Sequence, residues 1–113
     1  MGYPLVKIHN STNYKVSGKV RYMSAFCSDD DYSVEPGRRW TAKSRGVCLL
    51  TKVSATIHHP KKDLYARPYT STGTSYSEFA VIKMSGKYAV TRVVTLTEDD
   101  IPADYVEPTT EQK

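Results

Sequence analysis

At 113 residues and 39% apolar, the chain suits one domain with a modest core, and it holds no apolar run near the ~20 residues that a bilayer-spanning helix needs. Its charge is unevenly divided: residues 1–97 carry fifteen Lys/Arg and six Asp/Glu, residues 98–113 one Lys and six Asp/Glu, for a total of +4. A basic body of 1–97 with an acidic tail of 98–113 calls for an anionic partner, for a tail folded back over the body, or for a tail docked on a neighbouring copy.

The start, Met1-Gly2-Tyr3-Pro4, shows no basic stretch leading into an apolar one. No signal peptide is therefore read as written, and the expected setting is cytoplasmic or that of a mature secreted form. Residues 5–9 make the first strand candidate. Residues 14–22 alternate with a period of two: Val16, Gly18, Val20 and Tyr22 share one face, and Lys15, Ser17, Lys19 and Arg21 the other. Residues 32–35 and 39–43 are shorter candidates, separated by the turn signal Pro36-Gly37. Residues 47–57 alternate again, with Val47, Leu49, Thr51, Val53, Ala55 and Ile57 on one face. Residues 59–62 read as a break, 64–69 as a short strand and 70–74 as a connection. Residues 76–84 and 87–96 are rich in Val, Ile, Thr and Tyr, and Ser85-Gly86 between them reads as a tight hairpin. Phe79 to Ile82 is apolar on both faces, which suits the middle of a sheet. Residues 97–101 can open a short helical turn capped by Thr97. The expected fold is all-β, an antiparallel sandwich of about seven or eight short strands followed by a mobile acidic tail.

Cys27 and Cys48 either bridge or remain two thiols. A bridge would close a loop of about 20 residues and contribute on the order of 3 kcal/mol. The three histidines are not spaced with them as zinc ligands, and the acidic run Asp29-Asp30-Asp31 lacks the calcium-loop glycine and glutamate, so no metal is expected. Asn10-Ser11-Thr12 matches a glycosylation acceptor.

Three groups suggest binding. Tyr32, Arg38, Arg39, Trp40 and Arg45 fall in one dense segment, where arginines hold anionic groups and a tryptophan offers a stacking ring, unless Trp40 simply packs in the core. Lys15, Lys19 and Arg21 repeat about every 7 Å along a strand, a spacing that suits phosphates or lipid headgroups, or serves only as a solubilising face. Tyr65, Arg67, Tyr69 and Tyr76 flank the hydroxyl-rich 70–75, which can stack on and hydrogen-bond a sugar or be a plain connection. Arg92 shares a strand face with Tyr88 and Val90, so either that face is outward or Arg92 lies at a rim and is paired. No Ser/His/Asp order, phosphate cradle or carboxylate pair stands out, so neither a catalytic residue nor a cofactor is expected.

Val6-x-Ile8-x-Asn10-x-Thr12 and Val34-x-Pro36-Gly37 resemble the opening halves of small β-sandwich proteins such as aegerolysins and actinoporin-like cytolysins. The resemblance covers about 50 residues and implies a sandwich that meets membrane lipid through loop aromatics. The second half lacks the tryptophan-rich loops of aegerolysins, and the body is basic where theirs is commonly acidic. The expected function is a non-catalytic binding module for an anionic or glycan-bearing surface: lipid headgroups, glycans or acidic protein. Peripheral membrane contact fits this reading, and sequence-specific nucleic-acid recognition does not. The alternative is a homo-oligomeric assembly protein whose acidic tail docks on a neighbour's basic face.

Overall fold

The computed structural model describes residues 2–24 and 26–93, which hold ten strands and no helix. They are β1 (Lys7–Asn10), β2 (Val16–Tyr22), β3 (Asp30–Val34), β4 (Arg39–Thr41), β5 (Leu50–Val53), β6 (Thr56–His58), β7 (Asp63–Tyr65), β8 (Tyr69–Thr74), β9 (Glu78–Met84) and β10 (Lys87–Arg92). One sheet runs β10-β9-β1-β4; the other runs β7-β6-β2-β5-β8, with β3 on the second edge of β2. The expected all-β, sandwich-like class is what the chain adopts. The acidic segment 98–113, the turn at 97–101 and the end of the strand expected at 87–96 lie outside the described residues.

The strand count exceeds seven or eight because two tracks of chain are broken. β5 and β6 lie end to end along one edge of β2. β7 and β8 return along the far side of that pair. The break between β5 and β6 has a local cause at Gly18. A Cβ there would clash with Ser54 O, so only glycine lets that carbonyl pass over β2. The carbonyl then accepts the Tyr32 hydroxyl at 2.6 Å. A second irregularity corrects the expected face. Val20 pairs with Val53 and Tyr22 with Leu50, so the β5 side holds one extra residue. Leu50, not Leu49, turns into the core, and Val47 is 72% exposed.

The remaining corrections concern connections. Residues 70–74, read as a break, form most of β8; threonine at alternate positions suits an edge strand, and β8 pairs with β5. The strands pair antiparallel except for β1 and β9, which run parallel with Ile8 opposite Phe79; an isolated bridge between Arg67 and Ala89 is parallel as well. Two turns follow the sequence. Arg38 N–H donates to Glu35 O with Gly37 at φ 72°, a turn led by Pro36. Ser85 and Gly86 take φ of 51° and 78°, the backbone that a two-residue hairpin favours.

The alternation expected of β2 holds: Val16, Val20 and Tyr22 are buried between the sheets. They meet Val6, Ile8, Leu50, Val53, Ile57, Phe79 and Val81, all fully buried. β9 lies between β10 and β1, the central place expected from its doubly apolar run. Asn10 belongs to this interior rather than to a glycan. Its amide donates to the carbonyls of Tyr14 and Val34, and its Oδ1 accepts from Thr12, which fixes the chain leaving β1. Cys27 and Cys48 are joined as a disulfide, which ties the loop after β2 to the loop before β5.

Candidate functional site

A two-sheet sandwich leaves a seam wherever the edge strands of its layers approach without pairing. Here β8 with β7 edges one sheet and β10 edges the other. One point joins them: Arg67 N–H donates to Tyr88 O at 2.9 Å, and Arg67 O accepts from Val90 N–H at 2.8 Å. Pro68 follows that bridge and has no N–H to extend it. Around the bridge opens a groove of about 850 Å³, a volume in the range of small-ligand and peptide sites.

The chemistry of the groove follows from its walls. Tyr69 packs on the core, its ring centroid 4.9 Å from that of Phe79. Leu64, Ala66, Ile82 and Val90 supply apolar lining. Tyr65, 80% exposed, stands free at one lip. Tyr88 and Met84 form the other, with Lys83 Nζ 5.7 Å from the Tyr88 ring centroid. Arg67 and Lys87 are exposed lining residues, and among the described residues no carboxylate lines the groove. Aromatic faces, an apolar floor and two cations together favour an anion that carries a ring or another apolar body.

The groove gathers three of the residues singled out from sequence: Tyr65, Arg67 and Tyr69. Tyr76 lies elsewhere, with the Arg92 guanidinium 4.0 Å above its ring, so Arg92 is an exposed rim residue stacked on an aromatic. The dense segment at 32–45 does not converge. Tyr32 is buried and its ring centroid lies 5.5 Å from that of half-buried Trp40. Arg38 and Arg39 are exposed at the β3–β4 corner. Arg45 is buried inside the fold, with its guanidinium donating to Cys48 O, Thr74 O, Tyr76 O and Ser77 Oγ. Burial lowers its pKa, and the nearby phenols of Tyr22 and Tyr3 act the other way.

The basic face of β2 is met by acids. Lys19 lies 3.6 Å from Asp31, Arg21 3.7 Å from Asp29 and Lys15 3.9 Å from Glu35. The β2–β3 register sets Lys19 opposite Asp31, so the acidic run serves as a counter-charge strip along the neighbouring strand. Asp30 points the other way and accepts the Tyr22 hydroxyl at 2.7 Å. No group of three His, Cys, Asp or Glu gathers among the described residues in a form that could hold a metal.

Two features were not visible in the sequence. The far wall of the groove, with Met84, Lys87 and Tyr88, comes from a hairpin in the other sheet, and no local pattern signals that meeting. The second feature is a hydrogen-bonded relay. His58 Nε2 lies 2.7 Å from Ser17 Oγ, and His58 Nδ1 3.1 Å from Asp63 Oδ1. This is the bonding order of a hydrolase triad, set on the exposed outer face of β2, β6 and β7 and outside the groove. Ser17 is paired with Ser33 on one side and with Thr56 on the other. The ladders on both edges of β2 thus take up the main-chain donors from which an oxyanion site would be built.

No protein-family model, curated protein or solved structure matches the chain.

Proposed function

We propose that this chain is a non-catalytic binding module that takes an anionic ligand with aromatic or other apolar groups into the groove between β7–β8 and β10. The observation that carries this reading is the composition of the walls: Tyr65, Tyr69 and Tyr88 stand with Arg67 and Lys87, and among the described residues no carboxylate lines the groove. The counter-charged face of β2 is the weaker docking surface, since an external anion would first have to displace Glu35, Asp31 and Asp29. Acidic protein segments, sulfated glycans and lipid headgroups share the chemistry that the groove fits.

Titration calorimetry with a sulfated oligosaccharide, an acidic tyrosine-containing peptide and phosphatidylserine vesicles tests it. The expected result is binding to at least one probe, weakened tenfold or more in the double variant Arg67→Glu, Lys87→Glu. Indifference to all three, or binding that the double variant leaves unchanged, overturns it. For the non-catalytic part, a fluorophosphonate probe is expected to leave Ser17 unlabelled, and stoichiometric labelling that His58→Ala abolishes would reverse that conclusion.

A second reading, self-assembly, is favoured by the apolar surface beside the disulfide. Phe26 is 99% exposed and Val47 72%, each next to a bridged cysteine, and Met23 at 54% belongs to the same loop as Phe26. Exposed apolar side chains near one another favour contact with a second copy. Sedimentation velocity over a hundredfold concentration range decides: a species larger than a monomer, lost in Phe26→Ser, supports assembly, and a monomer throughout sinks it.

A further inference from the structure

The groove is cationic and aromatic, and the strand that forms one of its walls leads directly into the most acidic stretch of the chain. β10 ends at Arg92, and Val93 N–H donates to Glu78 O at 2.9 Å. Beyond it, residues 98–113 hold six carboxylates and one lysine. Within that stretch Asp104-Tyr105-Val106-Glu107 sets an aromatic and a branched apolar side chain between two acids. These are the complements of Tyr65, Tyr88, Arg67 and Lys87.

We infer that the groove is the docking site of the chain's own segment 98–113, held in cis, with Tyr105 and Val106 on the apolar floor between Tyr65 and Tyr88 and the flanking acids on Arg67 and Lys87. The inference rests on the groove being an anion site, as proposed above, and names the ligand that reaches it first.

Reach and concentration both favour this occupant. From Val93 to Tyr105 is twelve residues, up to ~40 Å of extended chain. Tyr88 and Val90 lie three to five residues back along β10, about 10–17 Å. The link is therefore long enough to turn and return along the wall it left. A short tether gives an effective concentration of order millimolar, so a segment of modest intrinsic affinity fills the site and an external acidic ligand must displace it.

The test uses three full-length chains. They are the wild type, a chain with the segment neutralised (Glu98→Gln, Asp99→Asn, Asp100→Asn, Asp104→Asn, Glu107→Gln, Glu111→Gln), and the neutralised chain also carrying Arg67→Glu and Lys87→Glu. The probe is a synthetic peptide of residues 98–113 in low salt. The expected result is binding to the neutralised chain at least tenfold tighter than to the wild type, lost in the groove variant and weakened by 0.5 M NaCl. Tyr65→Ala in the neutralised chain, which changes only an exposed ring, is expected to weaken the peptide as well. Equal binding to wild type and neutralised chain overturns the inference while leaving the groove an anion site. No binding to the neutralised chain overturns it too, and the three probes above then judge the groove separately. A wild-type dimer that the neutralised chain fails to form would give the segment to a neighbour's groove and overturn the cis arrangement.

Discussion

Arg45 shows how one side chain can be spent on the fold rather than on a ligand. It is 4% exposed, and its guanidinium joins the carbonyls of Thr74, Tyr76 and Cys48, the Ser77 hydroxyl and, at 3.3 Å, Pro4 O. The Tyr3 ring centroid lies 5.4 Å away. Three stretches of chain, at Pro4, Cys48 and residues 74–77, are thus pinned by one fork of donors. Arg45→Ala would leave several buried oxygens without a partner, and urea unfolding is expected to show a loss of about 3 kcal/mol or more. Arg45→Lys should recover less than half of it, because an ammonium lacks the planar fork. Two tyrosines make a separate prediction. Tyr32 is pushed up from the ordinary phenol value by burial, and Tyr22 by burial first and then by its hydrogen bond to Asp30. A phenol whose folded pKa is raised contributes stability fully below about pH 10, the unfolded value, and loses it as pH climbs toward the folded value. Stability should therefore fall above about pH 10. In a tyrosinate absorbance titration, two of the nine tyrosines should ionise only as the protein unfolds. Nine phenols ionising together in a still-folded protein would refute this.

At the scale of elements, β2 carries the widest demands. It pairs on both edges, buries Val16 and Val20, shows its charges outward and yields space at Gly18. Gly18→Ala must drive the Ser54 carbonyl off the strand and break the Tyr32 hydrogen bond, so a loss of roughly 2–3 kcal/mol is expected in thermal or urea unfolding. The hairpin between β9 and β10 offers the opposite sign. Ser85 holds a positive φ that asparagine tolerates better, and Ser85→Asn should raise stability by a few tenths of a kcal/mol. Elements of this kind were legible in the sequence because each carried its own rule: strict alternation in β2, doubly apolar residues in β9, and Pro36-Gly37 and Ser85-Gly86 at turns. The extra residue in β5 was not, because a bulge is set by what the neighbouring strand pairs with. The strand character of 70–74 was also missed, since serine, threonine and glycine look like a loop until β5 supplies a partner. The groove was half legible. Tyr65, Arg67 and Tyr69 lie close in sequence, whereas Lys87 and Tyr88 join them only through the meeting of two sheets. Tyr32 and Arg45 had the residue types of a ligand site, and no sequence rule shows that the interior takes them.

Across the whole molecule, the disulfide and the sheet order act on different states. Cys27 and Cys48 are 21 residues apart, and closing that loop restricts the unfolded chain more than it changes the folded one. Cys27→Ser with Cys48→Ser should lower stability by about 3 kcal/mol, seen as a lower urea midpoint, while the far-ultraviolet spectrum keeps its β signature. Unchanged stability would show that the loops are held without the bridge. The parallel pairing of β1 with β9 bears on time. His9 meets Glu78 across a separation of 69 residues, and β1 stands between β9 and β4 in the sheet. Its β9 edge cannot pair until residue 84 has left the ribosome, so β1, which β4 can join from residue 41, waits with that edge open. A topology this rich in distant pairings belongs among the slow folders, with refolding over milliseconds to seconds. During that wait Val6 and Ile8 stay uncovered, and chaperone demand in the cell should depend on how quickly β9 follows them.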